Sequence, residues 1–348
     1  MNEQNQTKPV FFLLLFLCLC VGLQVLKTAS SVIIPITVAI LFSFAFLPPV
    51  KFFKNKLHIP WAAGIFLVYS IFFIVFLIMG NIVFSGIGHI IQILPKYEER
   101  LMNILVIICS QLNIPINEQE GLFSNLLGLS PIRKFLSSSA LSFSTTLYDF
   151  LKSFFVSVLF SVFLIVEFNK TKGKLDKALN IETKDKVTKA INRIITDVSR
   201  YISIKFVSSL ITGICVWGIC AVLSLDFAPV FGFIAFLANF IPTFGSIVSC
   251  ILTILFAIAN FYPSIWQVAV ISVTIISVNF LIGNILEPKI LGENLDLSPF
   301  IILVSLTVWG WIWGPVGMIL SVPLMVTVKI VCENIPFLKP VAIFIGNK

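Results

Sequence analysis

The sequence predicts an all-α polytopic integral membrane protein with about eight membrane segments. Two of these segments are broken helical hairpins in the C-terminal half, which are candidates for re-entry. Three observations carry that expectation. Of 348 residues, 58% are hydrophobic and only 11% charged, whereas soluble domains carry roughly 25% charged residues. Mean hydropathy is +1.04. Apolar stretches long enough for a bilayer core of about 30 Å recur from residue 10 almost to the end of the chain. These runs are continuous, as in FLVYSIFFIVFLIMG at 66–80. A transmembrane barrel, the other structure that satisfies its own backbone in lipid, would instead alternate apolar and polar residues in short segments.

The first apolar run, Val10 to Leu26, exceeds the core of a secretory signal, and Ala29 to Ser31 matches a cleavage site poorly. An uncleaved first helix is expected. Full crossings follow at about 10–27, 32–50, 61–84, 150–168, 203–224 and 265–286. Lys51, Lys54 and Lys56 follow the second crossing. Ten Lys or Arg against four acids between Lys170 and Lys205 give a local charge of +6 after the fourth. Placing both basic loops inside makes the N- and C-termini cytoplasmic in a bacterial-type plasma membrane.

The expected organisation is N-terminal membrane segments over 1–85, an extracytoplasmic helical insertion over 86–149 and a crossing over 150–168. A basic amphipathic cytoplasmic helix over 169–202, a C-terminal transport core over 203–334 and a cytoplasmic tail over 335–348 complete it. Within the insertion, Leu101, Ile104, Leu105, Ile108 and Leu112 recur at helical spacing. Val187, Ile191, Ile194, Val198 and Ile202 do the same in the basic segment, which reads as a helix along the membrane surface.

Residues 227–260 and 299–332 are each too long for one crossing, and each is interrupted. The breaks fall at Pro242 to Gly245 and at Gly314 to Gly317, where proline removes a backbone donor and glycine loosens the helix. Counted through the crossings, the two hairpins enter from opposite faces. Broken segments in such an arrangement line a pathway near the middle of the bilayer.

Composition excludes several classes. The net charge of +8 concentrates beside the membrane, so it fixes orientation and does not call for nucleic acid. The seven cysteines lack C-x-x-C spacing and read as small buried hydrophobes, and His58 and His89 are the only histidines, so no metal site or cofactor is expected. H-E-x-x-H, G-x-S-x-G, G-x-x-x-x-G-K-[ST] and G-x-G-x-x-G are absent, so neither an enzyme nor a built-in ATPase is expected.

The candidate pathway residues are polar or helix-breaking groups at membrane depth. In the first hairpin they are Asn239, Pro242, Thr243 and Gly245. In the crossing at 265–286, Ser272, Asn279, Gly283 and Glu287 fall on one helix face, with Asn284 beside them. Glu287 sits in NILEPKILGENLDLSP (284–299), where a charge at depth costs about 2.5 to 3.5 kcal/mol. Pro288 is expected to end that helix and let Glu287 reach the cytoplasmic interface. Trp309, Trp311, Gly314 and Gly317 belong to the second hairpin tip. Small residues there, or an amide stripe, serve equally for helix packing.

The C-terminal half resembles the AI-2E family of membrane proteins, also called the autoinducer-2 exporter or PerM family. The matching stretches are YISIKFVSSLITG (201–213), FLANFIPTFGS (236–246), NILEPKILG (284–292) and LSPFIILVSLTVWGWIWGPVGMILSVPL (297–324). The resemblance implies a multi-pass transporter of about eight segments that assembles as a homo-oligomer. It implies export of a small polar organic solute, with the quorum-sensing signal autoinducer-2 as the family's named solute. Exchange of sodium or lithium for protons is the alternative it implies. A membrane scaffold that recruits partners is a further alternative. A neutral polyol calls for amides and hydroxyls. An antiporter calls for a titratable carboxylate, for which Glu287 is the candidate.

Overall fold

The computed structural model describes residues 3–78, 80–81, 85, 152–168, 181–291 and 296–347. Every regular element among them is helical. In chain order they are α1 (Glu3–Thr28), α2 (Ser30–Leu57), α3 (Trp61–Ile78), α4 (152–168), α5 (Ile181–Val222), α6 (Ala228–Ala238), α7 (Phe244–Phe261), α8 (Ile265–Leu281), α9 (Glu287–Leu291), α10 (Pro299–Asn334) and α11 (Lys339–Ile345). Six helices among the described residues are long and apolar enough to cross a membrane. The protein is an all-α polytopic membrane protein. The expected insertion at 86–149 and the segment at 169–180 lie outside the described residues.

The chain divides into two compact units. The first takes residues Met1–Ile65, Leu151–Ile202 and Glu293–Lys348. Its described core includes Leu47 and Val50 of α2, Ile165 of α4, Val198 of α5, and Val322, Val326 and Ile330 of α10. Continuous as its hydrogen bonding looks, α10 is two helices. Gly314 (φ 63°, ψ −145°) reverses the chain, a conformation open to glycine because it has no Cβ. The two arms then lie against each other, and the buried Ser305 hydroxyl donates to the Ser321 carbonyl at 2.9 Å. A Cβ at Gly317 would run into the Trp309 carbonyl, so close approach of the arms requires glycine there too.

Helix α5 joins two segments that the sequence presents separately. The basic segment and the following crossing are one continuous helix of 42 residues, roughly 63 Å long at 1.5 Å per residue. Nothing in Ile181–Val222 breaks it: the span holds no proline, and its glycines are spaced within the apolar part. Ile195 and Val198 are buried against protein. Val198, one of the periodic positions, thus packs on protein at this stage of the helix.

The second unit takes residues Phe66–Phe150 and Ser203–Gly292. It holds the first broken hairpin, α6 and α7, packed with α8 and the C-terminal half of α5. Helices α5 and α6 approach closely at Gly213 and Gly232, where a Cβ on either would meet the other's carbonyl oxygen within 2.8 Å. Small residues let α5 and α6 come backbone to backbone, as in other membrane helix pairs.

Candidate solute site in the second unit

The inward faces of all four elements change character along their length. On α5, Val216 and Cys220 are buried toward the Val222 end, whereas Lys205, Ser208, Ser209 and Thr212 are buried toward the other. On the hairpin, Ala228, Phe231 and Ala235 lead to Asn239 at the tip, and α7 leaves the tip through Ser249 and Thr253 before reaching Ala257. Helix α8 runs from Ile271 and Ile275 to Asn279. The apolar ends form one core with Leu225. The core of this unit is thus apolar in one half and polar in the other.

The hairpin tip is held by side chains. Asn239, 4% exposed, donates from Nδ2 to the Ser209 hydroxyl and accepts at Oδ1 from the Ser246 hydroxyl, each at 3.1 Å. This single amide ties the tip to α5 and to the start of α7. Pro242 and Thr243 make the turn itself. Thr243 has φ 63° and ψ −57°, and the Phe244 amide donates to the Pro242 carbonyl at 2.6 Å. That is the tight three-residue γ-turn, a strained conformation for a β-branched residue. Gly245 is buried, and a Cβ there would run into the Ala238 carbonyl.

Helix α8 does not stop at Pro288. Its last turn widens into a π turn at Ile282–Leu286, and α9 continues the helix through Pro288 to Leu291. A wider turn relaxes the crowding that a proline ring imposes on the preceding helix. The consequence for side chains is a register shift. Ile271, Ile275, Asn279 and Ile282 are buried at steps of three or four residues, and the next buried position, Glu287, is five on. The Glu287 amide donates to the Ile282 carbonyl, so the five-residue step matches the π turn that aims the carboxylate inward.

Glu287 meets Lys205. Lys205 Nζ lies 2.6 Å from Glu287 Oε1, and the two side chains are 6% and 11% exposed. Both charges are out of water and compensated by each other, the condition under which burial of charge is tolerated. Glu287 is in the interior of the unit. One turn along α5 from Lys205 stands Ser209, the partner of Asn239.

Asn279 differs from Asn239. It is 9% exposed. Its Nδ2 donates to the Ile275 carbonyl at 3.0 Å, and its buried Oδ1 has no hydrogen-bond partner. Leaving such an acceptor unpaired costs about 1 to 3 kcal/mol. The neighbouring hydroxyls are spent as donors on their own helices: Ser208 on the Lys205 carbonyl, Thr212 on Ser208, Ser249 on Ser246 and Thr253 on Ser249. What they keep for the interior is acceptor lone pairs. The polar half is therefore an acceptor-rich surface with one neutralised charge pair. Among the described residues no group of three or more His, Cys, Asp or Glu comes together to hold a metal ion.

The remaining expected residues fall elsewhere. Gly283 is half-buried, and Asn284 is exposed with its amide bonded to the Phe280 carbonyl. Trp309, Trp311, Gly314 and Gly317 lie in the first unit, where the aromatic cluster ties the hairpin tip to α1. Trp313 Nε1 donates to the Leu26 carbonyl at 3.1 Å, and Lys27 Nζ stands 4.2 Å from the Trp311 ring centroid. Trp309 and Trp313 pack ring on ring at 4.7 Å. Sequence reasoning missed Lys205, Ser208, Ser209, Thr212 and Ser246. Lys205 was counted with the basic block, although Ser208, Ser209 and Thr212 follow it at steps of three, four and seven on one helix face.

The family model described as AI-2E family transporter matches residues 10–337. The AI-2 transport protein TqsA of Escherichia coli K12 is 27% identical over 99% of this chain and 96% of its own. A protein of Borreliella burgdorferi named "Putative transport protein" is 28% identical over 100% of this chain and 94% of its own. One of the same name from Haemophilus influenzae is 28% identical over 92% of each chain. With a transporter-family match over nearly its whole length, and with the helices to cross a bilayer, this chain belongs to the AI-2E family of membrane transporters.

Proposed function

We propose that the chain exports a small polar organic solute, autoinducer-2 first among the candidates, and that the polar half of the second unit's core handles it. The observation that carries this reading is the buried Asn279 Oδ1 without a partner, set in a core half whose hydroxyls offer acceptors. A polyhydroxylated solute supplies the donors this surface lacks. The name of the Escherichia coli relative, AI-2 transport protein, supports the choice of solute.

Depth supports it as well. Ser209, which holds the hairpin tip, stands thirteen residues before the end of α5 at Val222, roughly 20 Å along the axis. Helix α6, with 11 residues, reaches only about half of a bilayer core. In this reading the hairpin enters the membrane and turns back inside it, where irregular backbone survives only if protein or a wet cavity covers it. Both termini are inside in a bacterial plasma membrane, and the chain works as a homo-oligomer. Because Lys205 already neutralises Glu287, the carboxylate is committed, which favours an organic solute over cation exchange.

The test is the ratio of external to internal autoinducer-2 in cells that make the signal, with and without this protein. A raised ratio on expression is expected. An unchanged ratio at verified membrane levels of the protein contradicts the proposal.

A further inference from the structure

We propose that Lys205 is the residue that sets the charge of the transported solute, its ammonium occupying the place on the Glu287 carboxylate that a monovalent cation would otherwise take. The claim rests on the reading of the second unit as the solute-handling core.

The charge inventory of that unit is short. Among its described residues the charged side chains are Lys205, Asp226, Glu287 and Lys289. Lys289 is exposed, and Asp226 sits in the turn after the Val222 end of α5, beside the apolar half. Only Lys205 and Glu287 are buried, and they cancel. Every other buried polar group described in this half, Ser208, Ser209, Thr212, Asn239, Ser249, Thr253 and Asn279, is neutral.

Oxygen-rich surroundings with a free carboxylate are what a hard monovalent cation binds. Here the carboxylate is taken by a cation that cannot leave, because it is tethered to α5. The Nζ–Oε1 distance of 2.6 Å leaves no room for an ion between them. The pairing also depends on geometry that ordinary helix would not give, since the π turn brings Glu287 to the inward face. A site so built rejects sodium and lithium and accepts solutes without net charge. Removing one partner leaves the other buried and uncompensated, so each single neutralisation should let the site recruit an ion carrying the charge that was removed.

The test uses the purified full chain and follows thermal stabilisation by added salts. Choline chloride sets the ionic-strength baseline. The wild type should show no saturable response to sodium or lithium. Lys205→Met should gain one, saturating as a single site. Glu287→Gln, which leaves the ammonium alone, should gain a saturable response to nitrate instead, and it carries the test if Lys205→Met does not fold. Lys205→Arg, keeping the charge, should respond like the wild type. A saturable sodium response in the wild type overturns the proposal, as does a folded Lys205→Met without one or a folded Glu287→Gln blind to nitrate. If Lys205→Met gains sodium while wild-type proteoliposomes move no autoinducer-2, the charge assignment stands and the solute reading falls. If autoinducer-2 moves and no variant recruits an ion, the reverse holds.

Discussion

Asn239 and Asn279 are both buried amides in the polar half of the second unit, yet their bonding assigns them different work. Asn239 is satisfied at both ends, by Ser209 and Ser246. Truncating it to alanine strips two hydroxyls of their partner, and a loss of about 1 to 3 kcal/mol in stability is expected from chemical denaturation in detergent. Asn279 keeps an unpaired Oδ1. Asn279→Leu removes that unpaired group, so stability should hold within about 1 kcal/mol, while solute flux should fall on the order of tenfold. A variant as unstable as Asn239→Ala would show that Asn279 holds the fold and does not serve the solute. The sequence put both residues on the candidate surface because amides at membrane depth are costly. It did not reveal which was already bonded, since Ser209 is thirty residues away from Asn239 and only the fold brings them together.

At the scale of elements, the breaks at Pro242 to Gly245 and at Gly314 were legible, because proline and glycine mark where a helix cannot continue. The π turn at Ile282–Leu286 was not. Pro288 announced a perturbation, but a proline looks the same in sequence whether it ends a helix or is absorbed by a wider turn. Inserting one alanine after Ile285 should lengthen that segment by a residue and rotate Glu287 by about 100° off the inward face. The ion pair with Lys205 would break, and flux should be lost while the protein still inserts; retained flux would show that the turn is incidental. For the hairpin, Gly245→Val forces a side chain into the Ala238 carbonyl and should abolish stable folding. The depth of its tip is tested by a cysteine at Thr243 in a background freed of native cysteines. Labelling by a small reagent, slowed by autoinducer-2, is expected. Rapid labelling by a bulky impermeant reagent from one face would place the tip at a surface and defeat the re-entrant reading.

For the molecule as a whole, composition and run length were enough to reach a helical membrane protein, because hydrophobic thickness leaves a chain few options. The division into two units was not legible in the sequence. Asn239, Asn279 and Glu287 lie in one unit; Trp309, Trp311, Gly314 and Gly317 lie in the other. Trp313 and Trp311 engage α1 through Leu26 and Lys27. Trp313→Phe should therefore cost about 1 kcal/mol of stability, the worth of one hydrogen bond, and leave flux per folded molecule unchanged. The central claim is that the second unit moves a neutral polar solute across the membrane. Its most direct test is efflux of autoinducer-2 from proteoliposomes holding the wild type or Asn279→Leu, with and without a sodium gradient. The account predicts protein-dependent efflux, indifferent to sodium and reduced on the order of tenfold in the variant. Efflux no faster than from empty liposomes, or equal in both proteins, would contradict it.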